Sequence, residues 1–163
     1  FGAKCIFPDN EFPFAERVCD DIARAAALPK PTPRTDGLAP FVLKRLQHLE
    51  PRITGAGHAI RFAVARGPLN IAGFLLGNTE FLLGLKMDPD ASHGFLNTIT
   101  AYLEDWLKLQ AATFPGIDGV LILDDLADSS DPTISWNSPN PISDAPLRPS
   151  TPACASFTTM PRA

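Results

Sequence analysis

Two short apolar runs dominate the hydrophobic pattern of the chain. His58-Ala59-Ile60-Arg61-Phe62-Ala63-Val64-Ala65 closes on Arg66-Gly67-Pro68, and Ile117-Asp118-Gly119-Val120-Leu121-Ile122-Leu123 closes on Asp124-Asp125. Such stretches, rich in β-branched residues and bounded by turn formers, read as strands buried on both faces. Between them Asn70 to Leu85 reads as helix, interrupted near Gly77-Asn78. A longer helix is predicted from Asp88-Pro89, where Asp caps and Pro takes the first helical position. Its buried stripe is Leu96, Ile99, Leu103, Trp106 and Leu107, running to about Thr113 before Pro115-Gly116. Strand, helical crossover and strand predict that Ala59–Ala65 and Val120–Leu123 are parallel, with Asn70–Thr113 helical between them.

The flanks are weaker. Phe1 to Asn10 reads as extended, and Glu16 to Leu28 carries a loose helical period through Val18, Ile22 and Ala26. Pro29, Pro31 and Pro33 punctuate a linker, after which Leu38, Val42, Leu46 and Leu49, with Phe41, share one helical face. From about Ser129 onward Pro, Ser and Thr dominate and no amphipathic period survives. Residues 128–163 therefore read as a disordered tail.

A length of 163 residues allows one domain with a sizeable core. The formal charge is −4 and the basic residues are scattered, which argues against nucleic acid or an anionic membrane surface as a partner. No apolar stretch is long enough for a membrane span, and no signal peptide opens the chain. The first residue is Phe1, so the expectation is an N-terminus that has been cut or is missing. Cys5, Cys19 and Cys154 are sparse and unpaired in sequence, which fits a reducing, cytoplasmic setting.

In parallel sheets ligands bind beyond the carboxyl ends of the strands. Arg66, Asp124 and Asp125 stand at those ends. A carboxylate there can orient a polar group, hold a metal or move a proton; the plainer reading is a helix N-cap or a salt bridge. Arg66 could grip a substrate carboxylate with a fork of hydrogen bonds, or simply pair with a neighbouring acid. Arg61 lies inside an apolar run, where an unpaired charge is costly, so a buried ion pair or a reach to the end of a barrel is expected. Asn70, Asn78, Thr79 and Glu80 are polar positions around an apolar helix, and Asn78 can cap the next one. His48, His58 and His93 lack metal-ligand spacing and read as surface or capping residues. The chain contains no Walker loop, G-x-G-x-x-G, nucleophile elbow or paired-cysteine zinc motif.

Three segments carry a resemblance: Arg66-Gly67-Pro68-Leu69-Asn70-Ile71-Ala72-Gly73-Phe74, Met87-Asp88-Pro89-Asp90-Ala91-Ser92-His93 and Gly119-Val120-Leu121-Ile122-Leu123-Asp124-Asp125. In this order and spacing the chain resembles the uroporphyrinogen decarboxylase superfamily over about residues 1–127. The resemblance implies an α/β fold, a partial TIM (β/α)8 barrel with about three parallel strands and crossover helices. It implies cofactor-free decarboxylation of a side-chain acid on a tetrapyrrole, a porphyrinogen, as in porphyrin and haem biosynthesis. The substrate would be a small anionic molecule, and the intact parent protein could be a homodimer. Asp124 and Asp125 take the catalytic role on this reading, stabilising the cation formed when a pyrrole ring is protonated. Arg66, Arg61, Phe74 and Asn70 take substrate-binding roles. Phe74 stands where the family's decarboxylase has a substrate-contacting Tyr, and Asp125 stands where it has Ser. The alternatives are a corrinoid-linked methyltransferase-like enzyme and an inactive truncated or binding relative. The methyltransferases build a zinc site from a His-x-Cys pair, which this sequence lacks. In a shifted reading frame, residues 131–138 can encode Pro-His-Asp-Phe-Val-Glu-Phe, similar to the helix start that follows the family's acidic strand end. The tail is accordingly expected to be a frameshifted segment.

Overall fold

The computed structural model describes residues 1–126; the expected tail over 128–163 lies outside the described residues. Nine elements follow in order: β1 (Cys5–Ile6), β2 (Phe14–Ala15), α1 (Ile22–Ala26), α2 (Ala39–Gly55), β3 (Phe62–Arg66), α3 (Pro68–Leu76), α4 (Asn78–Met87), α5 (Pro89–Thr113) and β4 (Gly119–Leu123). The fold is mixed α/β with two small sheets. β3 and β4 pair in parallel, with Phe62 opposite Gly119 and Arg66 opposite Leu123, and α3, α4 and α5 form the connection between them.

The expected barrel portion with about three parallel strands is not what forms. Among the described residues two strands are parallel, and the extended N-terminal segment pairs antiparallel in a separate sheet, Cys5 opposite Ala15 and Ile6 opposite Phe14. Pro8 and Pro13 bracket the loop between its two strands, and a residue without an N–H cannot extend a ladder. The strands are also not buried on both faces. Ala63 and Ala65 are buried beneath α5, while Phe62 (56 %) and Val64 (41 %) keep much of their surface. The alternation is that of a half-buried strand. The run begins as strand at Phe62 rather than Ala59.

The helix expected from Glu16 starts only at Ile22. The Val18 N–H donates to the Leu75 carbonyl at 2.8 Å, which holds this stretch against the end of α3 instead of in a helix. Asp21 then caps α1, accepting from the Arg24 N–H at 2.8 Å. α5 forms as its sequence suggests: Asp88 caps it through the Ala91 N–H at 3.1 Å, Pro89 opens it, and Phe95, Leu96, Ile99 and Leu103 are buried. These side chains meet Ala72, Leu75 and Leu76 of α3, Phe81 of α4 and Ala25 of α1 in one apolar core. A smaller cluster joins Leu43 of α2 to Leu109 and Phe114. The break between α3 and α4 falls at Gly77, whose φ of +99° suits glycine alone; a Cβ there would meet the Arg17 and Glu80 side chains. Among the described residues no helix is long and apolar enough to cross a membrane.

Candidate functional site

β3 and β4 run side by side, so their carboxyl ends emerge together and deliver Arg66 and Asp124-Asp125 to one place. The first helix after β3 begins there as well. Gly67 is the N-cap of α3 but has no side chain to cap with, and Pro68 at the next position has no N–H to satisfy. The remaining donors are met entirely by the end of β4. The Gly67 N–H donates to the Leu123 carbonyl at 2.7 Å. The Leu69 and Asn70 N–H groups each donate to a different oxygen of the Asp124 carboxylate, both at 3.0 Å. Asp124 therefore does for α3, from another strand, what an N-cap side chain ordinarily does from its own turn. Its negative charge also lies at the positive end of the helix dipole.

This arrangement needs glycine at 67. A Cβ there would lie 2.1 Å from Asp124 Oδ2 and 2.3 Å from its Cβ and Cγ. The constraint is one of close approach rather than of backbone angle, since φ at Gly67 is −72°. Burial pushes the Asp124 carboxyl above its ordinary value, and the nearby Asp125 charge adds to the rise; hydrogen bonds from Leu69, Asn70 and Leu126 act against it.

Asp125 faces outward. Its Oδ2 lies 3.0 Å from Arg66 Nη1, with the side chains 74 % and 49 % exposed, so the pair is open to a ligand. The buried Asn70 (5 % exposed) links the two layers. Its Nδ2 donates to the Leu123 carbonyl at 3.2 Å and reaches Asp125 Oδ2 at 3.4 Å. Arg66, Asn70, Asp124 and Asp125 thus form one connected cluster, with Asp124 holding the framework and Arg66 and Asp125 displayed upon it.

Two of the expected site residues stand elsewhere. Arg61 precedes β3, about 16 Å along the strand from Arg66. It forms an ion pair with Asp118 at the amino ends of the strands, and the pair is exposed instead of buried as expected, because the strand begins only at Phe62 and leaves Arg61 outside the apolar core. The guanidinium there holds the Asp118 carboxyl below its ordinary value, and Asp118 in turn holds Arg61 up. Phe74 is half-exposed on α3 and lines a shallow hollow of about 310 Å³ with Ala15, Arg17, Gly73, Gly77 and Asn78. A second hollow, of about 370 Å³, lies between Thr32–Arg34 and the face of α5 around Asp105, Lys108 and Ala112. Neither hollow is lined by Arg66, Asn70 or the two aspartates. Beside the first hollow, Arg17 Nη1 lies 3.2 Å from Glu80 Oε2 as an ion pair, without the alignment of a hydrogen bond.

Gln110 is a polar residue outside the set that the sequence suggests for the site. It is 4 % exposed, and its side chain binds the backbone of β3 at Val64. The signal was present in the spacing, because the apolar stripe of α5 through Leu103 and Trp106 continues onto Gln110. Among the described residues no group of three or more His, Cys, Asp or Glu converges as a metal site. Compared with known proteins, the chain matches no family model and no curated protein sequence.

Proposed function

We propose that the chain belongs to a cofactor-free decarboxylase of the uroporphyrinogen decarboxylase type, with Arg66 and Asp125 as its ligand-facing pair. The observation that carries this reading is the exposed Arg66–Asp125 pair at the carboxyl ends of β3 and β4, fixed from beneath by Asp124 and Asn70. The resemblance of the segments at 66–74, 87–93 and 119–125 supports the substrate class, a porphyrinogen bearing carboxylated side chains.

In such a reaction a pyrrole ring takes a proton on carbon and becomes a cation. The bond to the side-chain carboxylate then breaks, carbon dioxide leaves, and its electron pair neutralises the ring. A proton added to the remaining methylene carbon and one lost from the ring complete the balance. A carboxylate near the ring lowers the energy of the cation. Asp125 suits this role because it is charged, outward-facing and held in place. Arg66 has five N–H donors in a planar fork and engages Asp125 through Nη1, so it can also take a substrate carboxylate. This binding matters because Asp125 by itself would repel a polyanion. Asp124, with both oxygens committed to α3, is a positioning residue.

The test is anaerobic incubation of the chain with uroporphyrinogen, followed by mass analysis of the oxidised porphyrins. Products that have lost carboxyl groups are expected. Recovery of unchanged uroporphyrin overturns the assignment for this chain, and methyl transfer from a corrinoid donor would replace it with the methyltransferase reading.

A further inference from the structure

The two edges of the parallel pair differ. The Gly67 N–H donates to Leu123 and the Gly119 N–H to Arg61, so the odd-numbered residues of β3 turn their backbone groups toward β4. Even-numbered residues turn theirs to the outer edge. At the middle of that edge stands Val64, and its backbone is occupied by side chains of α5. The Val64 N–H donates to Gln110 Oε1 at 3.0 Å, and the Val64 carbonyl accepts from Gln110 Nε2 at 2.9 Å. Trp106 Nε1, one helical turn earlier, donates to the same carbonyl at 3.1 Å.

A primary amide carries a donor and an acceptor side by side, as a peptide group does. Exchanging both bonds with one residue is the pattern of a hydrogen-bonded antiparallel pair. We propose that Gln110, backed by Trp106, stands in for a neighbouring strand at the outer edge of β3 and prevents that edge from pairing with a second copy of this chain. The segment it guards needs guarding. Phe62-Ala63-Val64-Ala65 is uncharged and includes a β-branched residue, and Phe62 and Val64 remain exposed. An apolar edge strand with open backbone groups is a template for intermolecular pairing. Charged side chains, proline or a bulge are the usual protections, and β3 has none of these between Phe62 and Ala65. The position of Gln110 is settled by its burial and by the helix spacing, which puts it beside Trp106 on the face of α5 that covers Ala63 and Ala65.

Gln110→Met keeps a similar volume and removes both bonds, while Trp106→Phe keeps ring packing and removes one donor. Association is measured by sedimentation velocity over a concentration series, and Val64 amide exchange is followed in the same samples. In Gln110→Met, self-association should tighten on the order of tenfold, for the two bonds a second strand would now supply. The Val64 N–H should exchange freely when dilute and regain protection as concentration rises. Trp106→Phe should show a smaller increase with Val64 still protected. A Gln110→Met protein that associates like the wild type, with Val64 unprotected at every concentration, would show Gln110 to be a packing residue only. Should that variant fail to fold, Trp106→Phe decides: tighter association supports the stand-in, and wild-type association overturns it.

Discussion

Replacing Asp124 by Ala should destabilise the fold far more than replacing Asp125, although the two residues are adjacent and chemically identical. Asp124 supplies the acceptors for the Leu69 and Asn70 N–H groups at the start of α3, both at 3.0 Å. Loss of an N-cap acceptor costs about 0.5–2 kcal/mol. Leaving a buried donor unsatisfied costs about 1–3 kcal/mol, and Asn70 is buried. The cost of holding a carboxylate out of water, visible in its raised pKa, is recovered when it is removed. The net estimate for Asp124→Ala is therefore about 2–3 kcal/mol, below the sum of two full penalties. For a chain of this size that corresponds to a melting point lower by roughly 4–12 °C. Asp124→Asn keeps one acceptor oxygen in the same shape and resembles the protonated acid, so it should lose about 1 kcal/mol or less. Asp125→Ala removes an exposed pair worth about 0–1 kcal/mol. Calorimetric melts of the three variants and wild type, with amide exchange at Leu69 and Asn70, check the series. Equal losses for Asp124→Ala and Asp125→Ala would refute the capping argument. A loss for Asp124→Asn as large as for Asp124→Ala would assign the stabilisation to charge on the helix dipole instead of to the acceptor.

Gly67→Ala should cost about 1–3 kcal/mol through overpacking, since its Cβ would fall 2.1 Å from Asp124 Oδ2, and denaturant melts would show it. The acids should separate by the sign of their pH dependence. Asp124, raised by burial, binds its proton more tightly when folded, so its contribution is fullest below the ordinary value of 3.8 and declines as pH rises through the window above it. Asp118 and Asp105, lowered by Arg61 and Lys30, contribute fully above 3.8, and that contribution is lost as pH falls through their folded values. Carboxyl NMR titrations with Asp124 below 3.8, or Asp118 above it, would contradict these assignments. The open face carrying Phe62, Val64 and Leu123 should bind an apolar dye, and Val64→Thr with Leu123→Thr should reduce the fluorescence; unchanged fluorescence would place the dye elsewhere.

Much of the β3-to-β4 unit was legible because its signals are local. Asp88-Pro89 marks a helix start by capping chemistry, and Leu96, Ile99 and Leu103 mark its buried face by spacing alone. Two charged ends on parallel strands also point to a shared location. What could not be read was long-range. Nothing in the order of residues says that Asp124 reaches back 55 positions to the Leu69 N–H, while Asp125 turns outward to Arg66. Whether an apolar run is covered on one face or two depends on its neighbours, and an expected barrel supplied neighbours that are absent among the described residues. The N-terminal segment shows the same limit: Val18 looks like a helix position, but the Leu75 carbonyl claims its N–H.

The central claim is that Arg66 and Asp125 meet the ligand while Asp124 holds them in place. Its most direct test is the rate of carbon dioxide release from uroporphyrinogen by the wild-type chain and by Asp125→Asn, each at a temperature well below its own melting point. The account predicts decarboxylation by the wild type and a loss of at least about tenfold in kcat for Asp125→Asn, one charge interaction with the cationic ring being worth that much or more. Release by Asp125→Asn at the wild-type rate, or none from either protein, would contradict it.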